Sequence, residues 1–277
     1  MTSSLRAKRG IEMRNVWIAV GINAALLALI GLLWAVWNSR RPMTAARLRK
    51  ALRWDTLPPS SELPCGGKIG PAAALLRAAG EGGEDTAVLA ALLLRWQLEG
   101  RISMCMAPKK KLRSFGADEQ PQLTFLENSV RLDGAEAHVF EMLCGWAVID
   151  GTMQQSELYQ AARADATAVD NRMTQLRQEG VRALREMGGA FLEGKMTKFG
   201  FSREAREIYT AKGVRLAREI AGYQKFSRGE ITLSGEAAVM AVLVGAPEAA
   251  GPHAALCQTL AKAILDGAEA GTHVKRS

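Results

Sequence analysis

Histidine and glycine spacing offers neither a metal site nor a phosphate loop. The histidines, His138, His253 and His273, lie far apart, and none stands in a ligand spacing such as HExxH. The glycine groups that begin at Gly66 and Gly80 lack the Lys-Ser/Thr ending or the preceding strand of a phosphate-binding loop. No GxSxG motif presents a serine nucleophile. The sequence therefore predicts no catalytic residue, no metal ligand and no cofactor, and we expect the chain not to be an enzyme.

The cysteines argue against a zinc site or a disulfide framework. Cys65, Cys105, Cys144 and Cys257 are widely spaced, without a CxxC pair or a Cys/His cluster. A free cysteine packs as a small hydrophobe, and the cytosol keeps it reduced. The four thiols are therefore expected to be reduced and buried.

One predicted helix carries arginines that could contact nucleic acid. Residues Ala166–Glu179 predict a helix on which Arg172 and Arg177 would contact DNA, as a recognition helix does in the major groove. Acidic residues in and beside the helix offset this charge: Asp165, Asp170, Glu179 and Glu186. A membrane-tethered winged-helix DNA-binding regulator is therefore the alternative interpretation. It predicts a salt-dependent mobility shift that is lost on combining Arg172→Ala with Arg177→Ala.

The positive charge of the chain is concentrated near its N-terminus. The formal net charge is +8, but residues 1–53 hold ten Lys or Arg against one acid, a net of +9. Residues 54–277 hold 26 basic residues against 27 acidic ones, a net of −1. Because positive charge supplies the nonspecific affinity for phosphates, a nearly neutral C-terminal part disfavours nucleic acid as a partner.

An uncharged run of 22 residues, Val16–Trp37, is long enough to cross a bilayer. As a helix that rises about 1.5 Å per residue, it would span about 33 Å. A cleaved signal peptide would have a shorter apolar core and a small-residue cleavage site, whereas this run ends in polar and basic residues. Tryptophans and arginines at the ends are expected to anchor the helix at the headgroup level. The predicted anchor residues are Trp17, Trp34, Trp37, Arg40 and Arg41.

The basic residues that flank the run predict its orientation. Four precede it, and six follow it within the first 53 residues. Since the more basic flank stays on the cytoplasmic side, the C-terminal part is expected in the cytoplasm. The sequence thus predicts a single-pass protein of the cell inner (plasma) membrane, with the lipid bilayer as one partner.

Hydrophobic periodicity predicts a helical C-terminal part with small hairpins. A helix is predicted from Pro71 to a stop at Gly80, and a second helix over Thr86–Leu98. Two short strands follow, Arg101–Met106 and Gln122–Leu126. Two helices followed by a hairpin is the order of a winged-helix unit, and the pattern loosely repeats downstream. The apolar face of the helix Thr86–Leu98 consists of Val88, Leu89, Leu92, Leu93 and Trp96.

Later segments predict further elements. Gly180 is expected to close the helix that begins at Ala166, and a hairpin is expected near Phe191–Thr197. Ser202 would begin a longer helix through Phe226. The apolar stretch Ile231–Val244 contains too short an uncharged run to span a membrane, which predicts a buried helix. Leu256–Leu265 would be the final helix.

These elements predict a mainly α fold with small β-hairpins. A single N-terminal transmembrane helix would precede tandem winged-helix-like units and a C-terminal helical segment. The expected divisions are a basic tail (1–15), the transmembrane helix (16–37), a basic juxtamembrane segment with a Pro/Gly linker (38–68), winged-helix-like unit 1 (69–128), winged-helix-like unit 2 (133–200), the helical segment (201–270) and a disordered tail (271–277).

Three short motifs follow the apolar run in a recognisable order. Leu57–Pro59 contains a proline pair, and Ile69–Ala72 matches part of the pattern G-[LI]-[ST]-P-A-E. Leu93–Gly100 with Ile102 matches a helix that ends L-x-x-x-G-x-[LI]. This order resembles the cytoplasmic part of the YciQ-like family of predicted membrane proteins.

The resemblance extends over residues 16–245, with departures. Ala73 stands where the family has an acidic residue, residues 38–42 replace a Gly-Arg-Asp-Pro motif, and a large extracytoplasmic domain that precedes the anchor in typical members is missing. The resemblance implies a transmembrane helix followed by a cytoplasmic body; the family has no established activity. Further matching positions are Glu141, Leu143, Ala211–Gly213, Tyr223, Phe226 and Ala238–Val244.

The sequence favours a noncatalytic membrane-anchored protein whose cytoplasmic part is an interaction or scaffolding module. Its expected partner, besides lipid, is another membrane or cytoplasmic protein. No small-molecule substrate is identified.

Overall fold

The computed structural model describes residues 26–32, 42–52, 54–109, 119–126, 132–147, 150–193 and 206–276. The chain divides into two compact units, Met1–Pro42 and Met43–Ser277, and we call the second unit the body. Within the first unit, residues 26–32 are helical, with exposed leucine and isoleucine side chains. Across the described ranges, no helix combines the length and the apolar character that crossing a membrane requires. The rest of the predicted span Val16–Trp37 lies outside these ranges, as do Arg40 and Arg41.

The described part of the body consists mainly of helices, joined by short strands and 3-10 turns. The helices are α1 (Ala45–Ala51), α2 (Ile69–Ala79), α3 (Asp85–Leu98), α4 (Gly134–Trp146), α5 (Gln155–Ala164), α6 (Ala166–Glu186), α7 (Ala211–Ser227), α8 (Gly235–Leu243) and α9 (Pro252–Arg276). The strands are β1 (Ile102–Pro108), β2 (Glu119–Phe125), β3 (Thr152–Gln154), β4 (Ala190–Glu193) and β5 (Arg206–Tyr209). The predicted mainly α fold with small antiparallel hairpins is confirmed.

Two small antiparallel sheets lie among the helices. The first has the order β1-β2-β3, in which Leu123 of β2 lies opposite Met104 on one side and Met153 on the other. All three side chains are buried, so this face of the sheet joins the core. The strand β3 comes from the second predicted winged-helix-like unit and pairs with the hairpin of the first. The second sheet contains β4 and β5, with Met43 bridged to Tyr209 of β5.

The core is built around α3, which is buried on nearly all sides. Its predicted face, from Val88 to Trp96, is buried, and Ala90, Ala91 and Leu94 are buried as well. A helix that is apolar all round belongs in the interior. The long helix α9 packs against α3 and α5, while α2 packs against α6. The predicted buried helix within Ile231–Val244 is observed as α8, whose residues from Ala238 onward are buried.

Gly180 does not end a helix, contrary to the sequence prediction. The helix α6 continues through it to Glu186, and Gly180 lies where α6 crosses α2 at Gly70. A Cβ atom at position 180 would lie 2.5 Å from the carbonyl oxygen of Gly70. The glycine is therefore a packing residue, because only a missing side chain lets the two backbones approach this closely.

Three other sequence predictions are corrected. The predicted juxtamembrane segment and linker pack onto the body, since Leu48 and Leu52 of the former and Cys65 of the latter are buried. The predicted long helix from Ser202 begins only at Ala211, because residues 206–209 form the strand β5. This strand pairs with β4 and is the second strand of the expected hairpin. The final helix does not stop at Leu265, and residues 271–276 of the expected disordered tail continue it.

Candidate interaction site

A cleft of about 260 Å³ lies between α2, α3, α4 and α6, and we call it the four-helix cleft. Its walls are apolar where α3 and α6 face each other, with Val88 and Leu92 on one side and Leu176 and Ala183 on the other. The contact of Gly70 with Gly180 brings α2 and α6 together at the cleft, and both glycines line it. Helical periodicity thus turns apolar positions of two helices toward one cavity.

One arginine of the cleft shares a carboxylate with a second arginine outside the cleft lining. The Asp85 side chain lies 3.2 Å from Arg77 Nη2, which lines the cleft, and 3.6 Å from Arg177 Nη2. The Arg77 Nε also donates to the carbonyl oxygen of Gly83. Burial lowers the pKa of Arg77; the Asp85 charge opposes this, and Arg177 lowers it further. These contacts tie the C-terminal end of α2, the N-terminal end of α3 and α6 together.

Two acidic side chains that line the cleft, Glu136 and Glu179, are held by hydrogen bonds. Glu136 accepts from the buried Trp96 Nε1 at 2.8 Å and from Arg95 Nη1 at 3.4 Å. Glu179 accepts from the backbone N–H of Ala135 at 2.6 Å, which places a negative charge at the start of α4. Because the N-terminus of a helix carries a partial positive charge, this contact is favourable. The cleft therefore has apolar walls and a rim with charges of both signs.

The structure places the predicted nucleic-acid contacts Arg172 and Arg177 on α6, where other side chains already engage them. Arg172 Nη1 donates to Gln175. Arg177 donates to the carbonyl oxygen of Met173 and to Thr174 Oγ1, and it lies beside Asp85 and Asp170. Arg182 and Arg185 of the same helix pair with Glu186 and Glu207.

The four-helix cleft is not among the sites that the sequence predicts. Its residues are spread along the chain from Lys68 to Ala183, and no single motif contains them. One signal in the sequence was the presence of charged residues on otherwise apolar helices: Arg77 on α2 and Arg95 on α3 both line the cleft. The predicted membrane anchors Trp17, Trp34, Trp37, Arg40 and Arg41 lie outside the described residues. Within the described ranges, no three His, Cys, Asp or Glu side chains are placed to hold a metal ion.

The four cysteines are free, but their exposure differs. Cys65 and Cys257 are buried, and burial raises the pKa of each thiol to about 12. Cys144 is half-buried, and burial together with Glu141 raises its pKa to about 11. Cys105 is exposed on β1, contrary to the expectation that all four thiols are buried.

We therefore expect a thiol reagent at pH 8 to modify one cysteine of the folded chain rapidly. The thiolate is the reacting form, and at this pH a thiol with a pKa near 11 is ionised to only about one part in a thousand. Counting the thiols modified by a chromogenic disulfide, before and after adding denaturant, measures this directly. Cys105→Ser should abolish the fast phase. Rapid modification of three or four thiols in the folded state would contradict the described packing.

Comparison of the chain with family models, with curated proteins and with solved structures finds no match in any of the three.

Proposed function

We propose that this chain is a single-pass membrane-anchored protein whose body binds another protein through the four-helix cleft. The uncharged run Val16–Trp37, flanked by ten basic residues in the first 53, supports the anchor. The excess of basic residues after the run supports a cytoplasmic body at the inner membrane. The resemblance to the YciQ-like family is part of the same proposal, because it implies the same topology.

The size and lining of the cleft carry the proposal of a protein partner. This cleft measures about 260 Å³, which is close to the lower end of the roughly 300–1,000 Å³ usual for small-molecule sites. This volume suits one large apolar side chain of a partner. Protein interfaces have apolar centres with polar rims, and a few anchor side chains supply most of their affinity. The walls formed by Val88, Leu92 and Leu176, with Arg95 and Glu136 at the rim, match that description.

A winged-helix interpretation of the body is also part of the proposal. The run α4, β3, α5, α6, β4, β5 has the helix, strand, helix, helix, strand, strand order of a winged-helix unit. This order favours the alternative function, a membrane-tethered DNA-binding regulator. Acidic partners of Arg177, Arg182 and Arg185 reduce the charge that α6 could offer to phosphates, so we favour the protein partner.

Filling the cleft tests the proposal. Ala183→Trp would place an indole ring in the space where a partner side chain would sit, because Ala183 is half-buried and lines the cleft. We expect crosslinked partner recovered with the full chain from membranes to fall at least about tenfold, the effect of losing one anchor contact worth about 1.4 kcal/mol or more.

A tryptophan elsewhere on α6 provides the control. Gln175 is exposed and lies outside the cleft, so Gln175→Trp should leave the recovered partner unchanged. Thermal unfolding of both variants shows whether the fold is retained. Equal recovery with folded Ala183→Trp would contradict the role of the cleft, and recovery of lipid alone from the unsubstituted chain would contradict the protein partner.

A further inference from the structure

The hairpin formed by β4 and β5 exposes two large apolar side chains. Phe191 is 48% exposed and Leu192 is 47% exposed. As neighbours on one strand they point to opposite faces, so both faces of β4 are in solvent at this point. Their partners in the register are Ile208 and Glu207. Single exposed apolar side chains are common, so what these two can contact is decided by where β4 and β5 lie.

The hairpin lies next to the first residue of the body. The Tyr209 N–H donates to the carbonyl oxygen of Met43 at 2.8 Å, and the two residues form an antiparallel bridge. Met43 thus adds to the β5 side of the hairpin. Five residues, 38–42, separate Met43 from the last residue of the predicted span, Trp37. Such a segment extends at most about 20 Å, so the proposed anchor keeps Met43, and β5 with it, close to the bilayer surface.

The described charges of β4 and β5 do not oppose contact with an anionic membrane. Glu193 is paired with Arg206 at 2.6 Å, and Glu207 with Arg185 at 2.6 Å. Lys212, exposed at the start of α7, is close to Gly188 at the base of β4. The acidic side chains of the two described strands are therefore neutralised, with a basic side chain beside them.

We infer that strands β4 and β5 lie in the headgroup region of the membrane, with Phe191 and Leu192 at the boundary of the acyl chains. This inference rests on the proposed membrane anchor. The two side chains expose on the order of 200 Å² in total, whereas a protein interface needs about 800 Å² from each partner. A surface this small binds little by itself, but an anchor in the same chain raises its effective concentration at the bilayer.

A fluorescent probe on the hairpin tests the inference in the full chain. The exposed thiol is first removed with Cys105→Ser, and Leu192→Cys is labelled with a polarity-sensitive dye. After reconstitution into vesicles that contain phosphatidylcholine and phosphatidylserine, we expect blue-shifted emission that is quenched by lipids with a nitroxide near the headgroup. The matched control is Gln160→Cys, exposed on α5, which should show neither effect. Adding Phe191→Asp should reduce the quenching at position 192 at least twofold.

Alkaline extraction of the vesicles separates this inference from the proposed anchor. A chain released into the supernatant would overturn both. A chain retained in the pellet, with the probe at 192 as exposed as the one at 160, would overturn the hairpin inference and leave the anchor standing. Blue-shifted emission without quenching by the nitroxide lipids would also overturn it, because protein and not lipid would then cover the hairpin.

Discussion

Replacing Gly267 with leucine is expected to destabilise the body by at least about 3 kcal/mol, the upper part of the range for overpacking. Gly267 and Gly271 lie one turn apart on α9, against the carbonyl oxygens of Tyr159 and Arg163 on α5. A Cβ atom at Gly267 would collide with the Tyr159 oxygen and would also lie 3.2 Å from the Cβ of Ala162. The obstacle is backbone, so relief requires that α9 move away from α5.

The same helix supplies a graded comparison. Gly271→Leu meets the Arg163 oxygen, but Gly271 lies only five residues before the end of α9, so fraying of the last turns can relieve part of the strain. We therefore expect a smaller loss than for Gly267→Leu. Urea denaturation of the full chain in detergent, followed by circular dichroism at 222 nm, measures both changes in the free energy of unfolding.

A helical glycine in open space is the control for these substitutions. A Cβ added at Gly145 of α4 would have no neighbouring heavy atom within 4 Å. Gly145→Ala should stabilise the body by up to about 1 kcal/mol, because alanine favours the helix over glycine. If Gly267→Leu were as stable as the unsubstituted chain, the described packing of α9 on α5 would be wrong.

Local patterns predicted the elements whose burial shows directly in the sequence. The spacing from Val88 to Trp96 places α3 because a buried helical face repeats every three to four residues. Charged residues at the ends of Ile231–Val244 predicted a buried helix of limited length, and α8 agrees. Both features depend only on neighbours along the chain.

Glycine was misinterpreted because its role depends on a partner that is distant in sequence. Gly180 reads as a helix end when considered alone, yet it allows α6 to cross α2 at a residue 110 positions earlier, Gly70. Gly267 and Gly271 lie beyond Leu265, the predicted end of the last helix, yet both are inside α9 and pack against α5. Conformational freedom and small size both favour glycine, and only the fold decides which property is used.

The four-helix cleft could not be predicted for a related reason. Arg77 and Arg177 approach the same carboxylate, that of Asp85, although 100 residues separate them. Neither arginine stands in a motif, and Arg177 taken alone suggested contact with DNA. The strand β5 was likewise predicted as helix from its local sequence. It forms a strand because its pairing with β4 sets its conformation more strongly than its own composition does.

Trp96→Ala is expected to cost about 4 kcal/mol of folding free energy, within the usual range for removing a buried tryptophan. The Trp96 side chain is fully buried, and its ring meets Phe140 edge to face at 5.0 Å. Its Nε1 donates to Glu136, so the substitution leaves a cavity and also removes a hydrogen bond from a carboxylate at the rim of the cleft. The loss therefore combines packing with the positioning of Glu136.

Trp96→Phe separates these two contributions. Phenylalanine keeps an aromatic ring against Phe140 but removes the N–H group that donates to Glu136. Of the two hydrogen bonds described for the Glu136 side chain, the one from Arg95 Nη1 at 3.4 Å remains. Losing a hydrogen bond to a charged group costs about 1.5–3 kcal/mol, so we expect a smaller loss of stability than for alanine. We also expect partner recovery through the cleft to fall, because Glu136 would be less firmly held. If Trp96→Phe lost as much stability as Trp96→Ala, the hydrogen bond to Glu136 would outweigh packing as the reason that this residue is a tryptophan.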